Sequence, residues 1–250
     1  NIDSNSEDNT VKIFRKTKTF YPKKSVILKK PRGKGKNLIY FLNLSKKDNV
    51  DFCLTIDADV SSAKDDWIIK MLKPLINKKA DFVTPSYKRS RFEGSTTNHL
   101  AYPIVSIFAG KLIRQPIAGD FAFNKRSIFL LTKNYNLIKS VYNYGIDIFL
   151  VLNCLNNNLK HSEIKLDKKI HNPSFNKLEY MFPQVASATL FSLRLKDNLS
   201  PQKPKDKNTS NNILLTTVFP HKKFAIKLRD KYYLFIKSLN KNDIKWLSKD

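Results

Sequence analysis

Residues Val50 to Val60 read Val-Asp-Phe-Cys-Leu-Thr-Ile-Asp-Ala-Asp-Val, an apolar, β-branched run that stops at two carboxylates one residue apart. Such a run predicts an interior strand of a mostly parallel sheet. Open α/β sheets bind their ligands at the C-terminal ends of these strands. Asp57 and Asp59 would there offer a hard divalent cation one or two oxygens, leaving phosphate and water to complete its shell. The same two residues can equally cap the helix that follows.

The flanking pattern extends the α/β reading. A strand end at Ile2-Asp3 is followed by a polar loop and a helix-like stretch, Val11–Phe14. Lys24–Leu28 predicts a short strand, and Asn37–Leu44 has helical spacing. Ser62 with Asp65 has the form of a capping box. It precedes an amphipathic face of Trp67, Ile68, Met71, Leu72 and Leu75. Asp81–Pro85 reads as the next strand. After it, a turn at Gly119 leads into Phe121–Phe123, and an apolar helix runs from Tyr144 to Leu155. Ser162–Leu166 alternates like an edge strand, and Pro183 suits the first turn of a helix ending near Leu195. Strand–helix alternation of this kind predicts a sheet with helical crossovers. Residues 1–196 are read as one catalytic domain, and 197–250 as a polar linker followed by a basic helical extension around Phe224–Ile236.

Charge narrows the partners. The 250 residues carry 46 Lys+Arg against 21 Asp+Glu, a net +25, which favours polyanionic or phosphorylated partners. The lysines are spread along the chain without zinc-finger or ribonucleoprotein-type motifs, so no specific nucleic-acid partner is expected. No apolar run approaches the ~18 residues of a membrane span, and no secretory leader is visible. Cys53 and Cys154 both fall in apolar surroundings and read as buried thiols. A reducing, cytoplasmic location is the expectation.

Several side chains can carry chemistry. Gly33-Lys34-Gly35-Lys36 lies between a strand and a helix, where glycines permit close backbone approach and helix amides with Lys34 can hold a phosphate. A flexible basic loop would look the same, and the Walker spacing is absent. Asp147 falls in the first turn of its helix, where the dipole stabilises it. Facing the Asp57–Asp59 cleft, it would instead steady developing positive charge or take a proton. His171 is either a surface histidine or a nitrogen ligand for an ion such as Mn²⁺.

In order, a Ser-Glu-Asp loop, Gly-Lys-Gly, Asp-Ala-Asp, Gln115-Pro116-Ile117-Ala118-Gly119-Asp120, Tyr144-Gly145-Ile146-Asp147 and Ile170-His171-Asn172 resemble the GT-A glycosyltransferases that make mannosylglycerate and glucosyl-3-phosphoglycerate. Asp3 to Thr10 approximates a motif common in that superfamily, and the resemblance spans residues 1 to about 195. It implies a Rossmann-like α/β sheet flanked by helices, and an earlier base-binding strand that would precede Asn1. It also implies a magnesium- or manganese-dependent transfer of a hexose from UDP- or GDP-sugar to a small hydroxy-acid or sugar acceptor, with retention. By that resemblance Asp59 and His171 would hold the metal. Lys34, Asp57 and Gly119 would meet the donor, Thr96 and Thr97 the acceptor, and Asp147 with Asp120 the reacting centre. The arginine that follows the acceptor-loop glycine in phosphoglycerate-using relatives is Ser95 here, leaving Arg89, Arg91 or Arg114 to substitute. A basic apolar C-terminal helix would be able to pair with a second subunit. The competing readings are a nucleotidyltransferase, which usually carries a longer glycine-rich loop, and a non-catalytic module for nucleic acid or membrane surfaces.

Overall fold

Strands alternate their side chains between two apolar layers, and that alternation organises the molecule. In the computed structural model, which describes residues 1–29, 33–90, 93–133, 136–171, 177–195 and 213–214, the main sheet has the order β3-β5-β4-β6. These strands are β3 (Phe52–Thr55), β4 (Phe82–Ser90), β5 (Phe121–Asn124) and β6 (His161–Lys168). Phe82, Phe121 and Phe123 point into one layer, while Val83 and Ala122 point into the other, as the two-residue strand period requires.

The first layer is closed by α2 (Lys34–Lys47), α5 (Lys125–Leu131), α6 (Ile146–Asn156) and α7 (Leu178–Arg194). Every residue of α6 from Ile146 to Cys154 is buried, which fits a sequence that is apolar on every face apart from Asp147 and Asn153. The second layer is closed by α3 (Asp65–Ile76), whose Trp67, Met71 and Leu75 are buried against Tyr87 and Leu166. A smaller parallel pair, β1 (Ile2–Asp3) with β2 (Val26–Ile27), flanks α2 and is linked by the short α1 (Thr10–Lys16). Between β4 and β5 lie a π-helical turn, Thr97–Ala101, and α4 (Tyr102–Ala109).

Several local expectations are corrected. The sheet is mixed: β5 runs antiparallel to both β3 and β4, whereas β6 is parallel to β4. The chain between β4 and β5 returns without a right-handed parallel crossover, so β3 gains an antiparallel neighbour, and β3, expected as an interior strand, stands at one end of the order among the described residues with Phe52 39% exposed. Ser62 does not cap α3, whose N-cap is Lys64. Its hydroxyl instead accepts the Ile170 N–H at 2.8 Å. Ile68 is 42% exposed, one position off the buried stripe. Pro183 lies inside α7 rather than in its first turn, where it deprives Glu179 of the usual backbone donor. Both cysteines are buried and unbridged, and burial pushes the Cys53 thiol up to about 12. The proposed linker and basic helix after residue 196 lie outside the described residues, apart from the strand β7 (Ile213–Leu214), which pairs with Arg89 and Ser90.

Candidate active site

The Gly-Lys-Gly segment opens α2, and its glycines have a steric reason. A Cβ on Gly35 would lie 1.9 Å from the Val141 carbonyl oxygen, and one on Gly33 2.3 Å from that of Tyr142. The helix end is therefore seated directly on the 141–143 backbone. The Gly35 and Lys36 N–H groups donate to the carbonyls of Asn143 and Tyr142, each at 3.1 Å. These amides were expected to hold a phosphate; they are already engaged within the fold.

What the seat achieves is to aim Lys34. Its Nζ lies 3.1 Å from Asp57 Oδ1 and 3.0 Å from Asp147 Oδ2, joining the end of β3 to the first turn of α6. Burial alone would lower the Lys34 pKa, but the charges of Asp147 and then Asp57 outweigh it and hold the ammonium well above the usual lysine range. For Asp147 burial dominates, and its carboxyl is raised despite Lys34. For Asp57 burial is outweighed by Lys34 and Lys169, and the carboxyl is lowered. One oxygen of Asp147, Oδ1, is buried with no hydrogen-bond partner.

Lys169 is a site residue that sequence reasoning missed. Its side chain is 4% exposed and its Nζ contacts Asp120 Oδ2 (2.7 Å), the Ala118 carbonyl (2.8 Å) and Asp57 Oδ2 (3.3 Å). Asp120, expected at the reacting centre, is fully buried beneath it. Asp120 accepts from the Asp57 backbone N–H (2.7 Å), the Tyr87 hydroxyl (2.6 Å) and Lys169. Gly119 sits with φ +91°, and a Cβ there would fall 2.1 Å from Asp57 Oδ2, so only glycine lets the 119–120 turn back onto Asp57.

Asp59 lies exposed on the turn just beyond Asp57. His171 is exposed as well, and its chain neighbour Ile170 is strapped to the same turn. There the Ile170 carbonyl accepts from the Ser61 N–H at 3.0 Å and its N–H donates to Ser62. Among the described residues no three His, Cys, Asp or Glu side chains converge to hold a metal ion. A carboxylate oxygen and an imidazole nitrogen, with diphosphate and water completing the shell, suit Mn²⁺; Mg²⁺, which prefers oxygen donors and seldom needs an all-protein cage, would rest on the carboxylate and diphosphate.

On the acceptor side, Thr96 and Thr97 are each 3% exposed at the start of the π-helical turn, and the Thr96 hydroxyl is buried without a partner. Arg89 Nη1 lies 3.1 Å from where a Cβ on Gly94 would be. Burial lowers the Arg89 pKa. Arg114 lies over the Tyr102 ring at 5.1 Å. Arg91 is outside the described residues. Gln115 bonds Tyr87 like a strand residue, with Oε1 accepting its N–H at 3.2 Å and Nε2 donating to its carbonyl at 2.6 Å.

Glu163 on β6 accepts the Arg114 N–H at 2.6 Å. Burial pushes its carboxyl up from 4.5 to about 7, against the opposing pull of backbone N–H groups and of Arg114 and Lys165. Because the folded value is the higher one, the stability contributed is full below pH 4.5 and is lost as pH rises through about 7. Glu163→Gln is expected to remove that decline, as read from thermal melts across this range; a slope shared with the parent would show the group titrates normally.

Helices on both faces of a mixed sheet, with acidic side chains gathered at one strand end, make an α/β fold with a candidate ligand site at the strand ends. The family model "Glycosyl transferase family 2" matches residues 2–136, over half of the chain, and the protein belongs to that family of nucleotide-sugar-using glycosyltransferases. Solved structures of glucosyl-3-phosphoglycerate synthase from Mycobacterium tuberculosis share the fold. The complex with Mg²⁺ and uridine diphosphate has a TM-score of 0.62 at 20% identity, covering 78% of this chain and 68% of that one. The complex with phosphoglyceric acid has a TM-score of 0.61 at 20% identity, covering 78% and 69%. The complex with Mn²⁺, UDP-glucose and phosphoglyceric acid scores 0.60 at 20% identity, covering 76% and 66%. No curated protein sequence matches the chain. No helix among the described residues is long and apolar enough to cross a membrane.

Proposed function

We propose that this enzyme moves a hexose from a UDP- or GDP-sugar to a small acidic hydroxylated acceptor, with retention of configuration. The observation that carries the reading is Lys34 held between Asp57 and Asp147 while Asp147 Oδ1 stays buried and unpartnered. A buried acceptor oxygen without a donor is costly, and a sugar or acceptor hydroxyl is the donor that would satisfy it.

Transfer breaks the anomeric C–O bond through an oxocarbenium-like state and leaves a nucleoside diphosphate. Asp59 and His171 would hold a divalent ion, which when bound neutralises charge on that leaving group. Held in orientation by Lys34, Asp147 would steady the positive charge that develops on the sugar. Asp57 shares Lys34 with it and is also held by Lys169, so it is poorly suited to attack as a nucleophile. A front-face course, with the departing diphosphate taking the acceptor proton, fits that arrangement. Asp120 acts as a positioning residue that sets the Asp57 backbone. An acidic acceptor is favoured by Arg89 beside the Gly94 turn, and the unpartnered Thr96 hydroxyl could bond an acceptor oxygen. Relatives of the same fold are described with UDP-glucose, Mn²⁺ and phosphoglyceric acid, which supports the same substrate classes.

Calorimetric titration with UDP and GDP tests the assignment. Nucleotide binding is expected to need Mn²⁺ or Mg²⁺ and to be lost in Asp59→Asn and His171→Ala. Binding indifferent to metal and to both changes would remove the assigned ligands.

A further inference from the structure

The connection between β1 and β2 presents the two most exposed large apolar side chains among the described residues. Phe20 is 105% exposed and Tyr21 81%, with Ile13 at 62% on α1, a helix that buries none of its residues. Aromatic pairs left wholly in water mark surfaces that meet something. Around them Lys12, Arg15, Lys16, Lys18, Lys23 and Lys24 are all exposed, and the sequence has no Asp or Glu from Asn9 to Lys47.

The segment is a shaped hook. Lys23 Nζ donates to the carbonyls of Phe14 (3.1 Å), Arg15 (2.7 Å) and Thr17, closing the C-terminal end of α1. The same ammonium lies 5.9 Å from the centre of the Phe14 ring. The Thr19 hydroxyl accepts the Tyr21 N–H at 3.2 Å. These bonds turn Phe20 and Tyr21 outward inside a collar of ammonium groups.

We propose that this hook docks the enzyme onto an anionic lipid bilayer. Aromatic rings settle at headgroup depth, while clustered lysines gain from the negative surface potential. Ile13 favours lipid over nucleic acid: a β-branched aliphatic group offers no flat face to a base, yet adds apolar area to an interfacial helix. The hook is tied to the catalytic end of the fold. Asn37 of α2 donates to the Ile2 carbonyl (3.1 Å) and accepts from the Ser4 hydroxyl (2.7 Å), and α2 begins at Lys34. Docking would therefore hold the site at a set orientation to the bilayer.

Flotation of the full chain with phosphatidylserine-containing vesicles, against pure phosphatidylcholine vesicles, tests the proposal. Capture by the anionic vesicles alone is expected, reversed by high salt and by Lys16→Glu with Lys18→Glu. Phe20→Ser with Tyr21→Ser is expected to weaken capture about tenfold, with the melting temperature unchanged because both side chains are exposed. Equal capture of parent and Phe20→Ser/Tyr21→Ser protein would overturn the inference. So would a single-stranded oligonucleotide that binds the hook and is not displaced by vesicles.

Discussion

Lys169→Met is expected to cost about 3–5 kcal/mol of folding stability, the size typical of removing one partner from a buried ion pair. Lys169 is 4% exposed and Asp120 0%, so neither charge can recover its hydration when the other is lost. The Ala118 carbonyl would lose its donor at the same time, and Tyr87 would lose a cation lying 5.4 Å from its ring. Urea or thermal unfolding measures the loss directly. Lys169→Met combined with Asp120→Asn is expected to lose less than the sum of the single changes, because the stranded carboxylate is gone. A single variant as stable as the parent, or strict additivity in the double, would mean that the pair is not energetically coupled.

Asp147→Asn is expected to separate activity from stability. The amide has the same shape and can still accept from Lys34 through its carbonyl oxygen, but it carries no charge toward the sugar. A fall in kcat of about 10²–10⁴-fold is expected, the range found for removing a positioned acid–base or charge-stabilising group. The donor KM is expected to change little. Lys34 keeps its second ion pair, with Asp57 at 3.1 Å, so the melting temperature is expected to fall by less than in Lys169→Met. Retained kcat would exclude Asp147 from the reacting centre, and a collapsed melting temperature would mark it as purely structural.

The legible parts of the site were those where chemistry and backbone pattern coincide. Asp57 and Asp59 stood out because they terminate an apolar strand, and Asp147 because it opens an apolar helix. Lys169 did not stand out: it follows Lys168 in a chain with 46 Lys+Arg, and nothing local distinguishes a buried lysine from a solvated one. Asp120 was legible as a site element within Gln115–Asp120, but its role was not. Three donors converge on it from β4, the end of β3 and the segment after β6, and such convergence leaves no trace in spacing. Ser62 was misread for a related reason. A serine three residues before an aspartate fits a capping box, but the Ile170 N–H, more than a hundred residues away, competes for the hydroxyl and takes it.

By itself the sequence determined most of the longer elements and the acidic strand end, because these follow from local periodicity and residue chemistry, but it showed neither α4 nor α5. Tertiary structure decided the direction of β5 and the use of Gly33 and Gly35 as a seat on residues 141–143. It also set the partners of Lys34, Lys169 and Asp120. Those features depend on which distant groups meet across the sheet, and pairing across 23 to 113 residues is set by the packing of whole layers rather than by the residues next door.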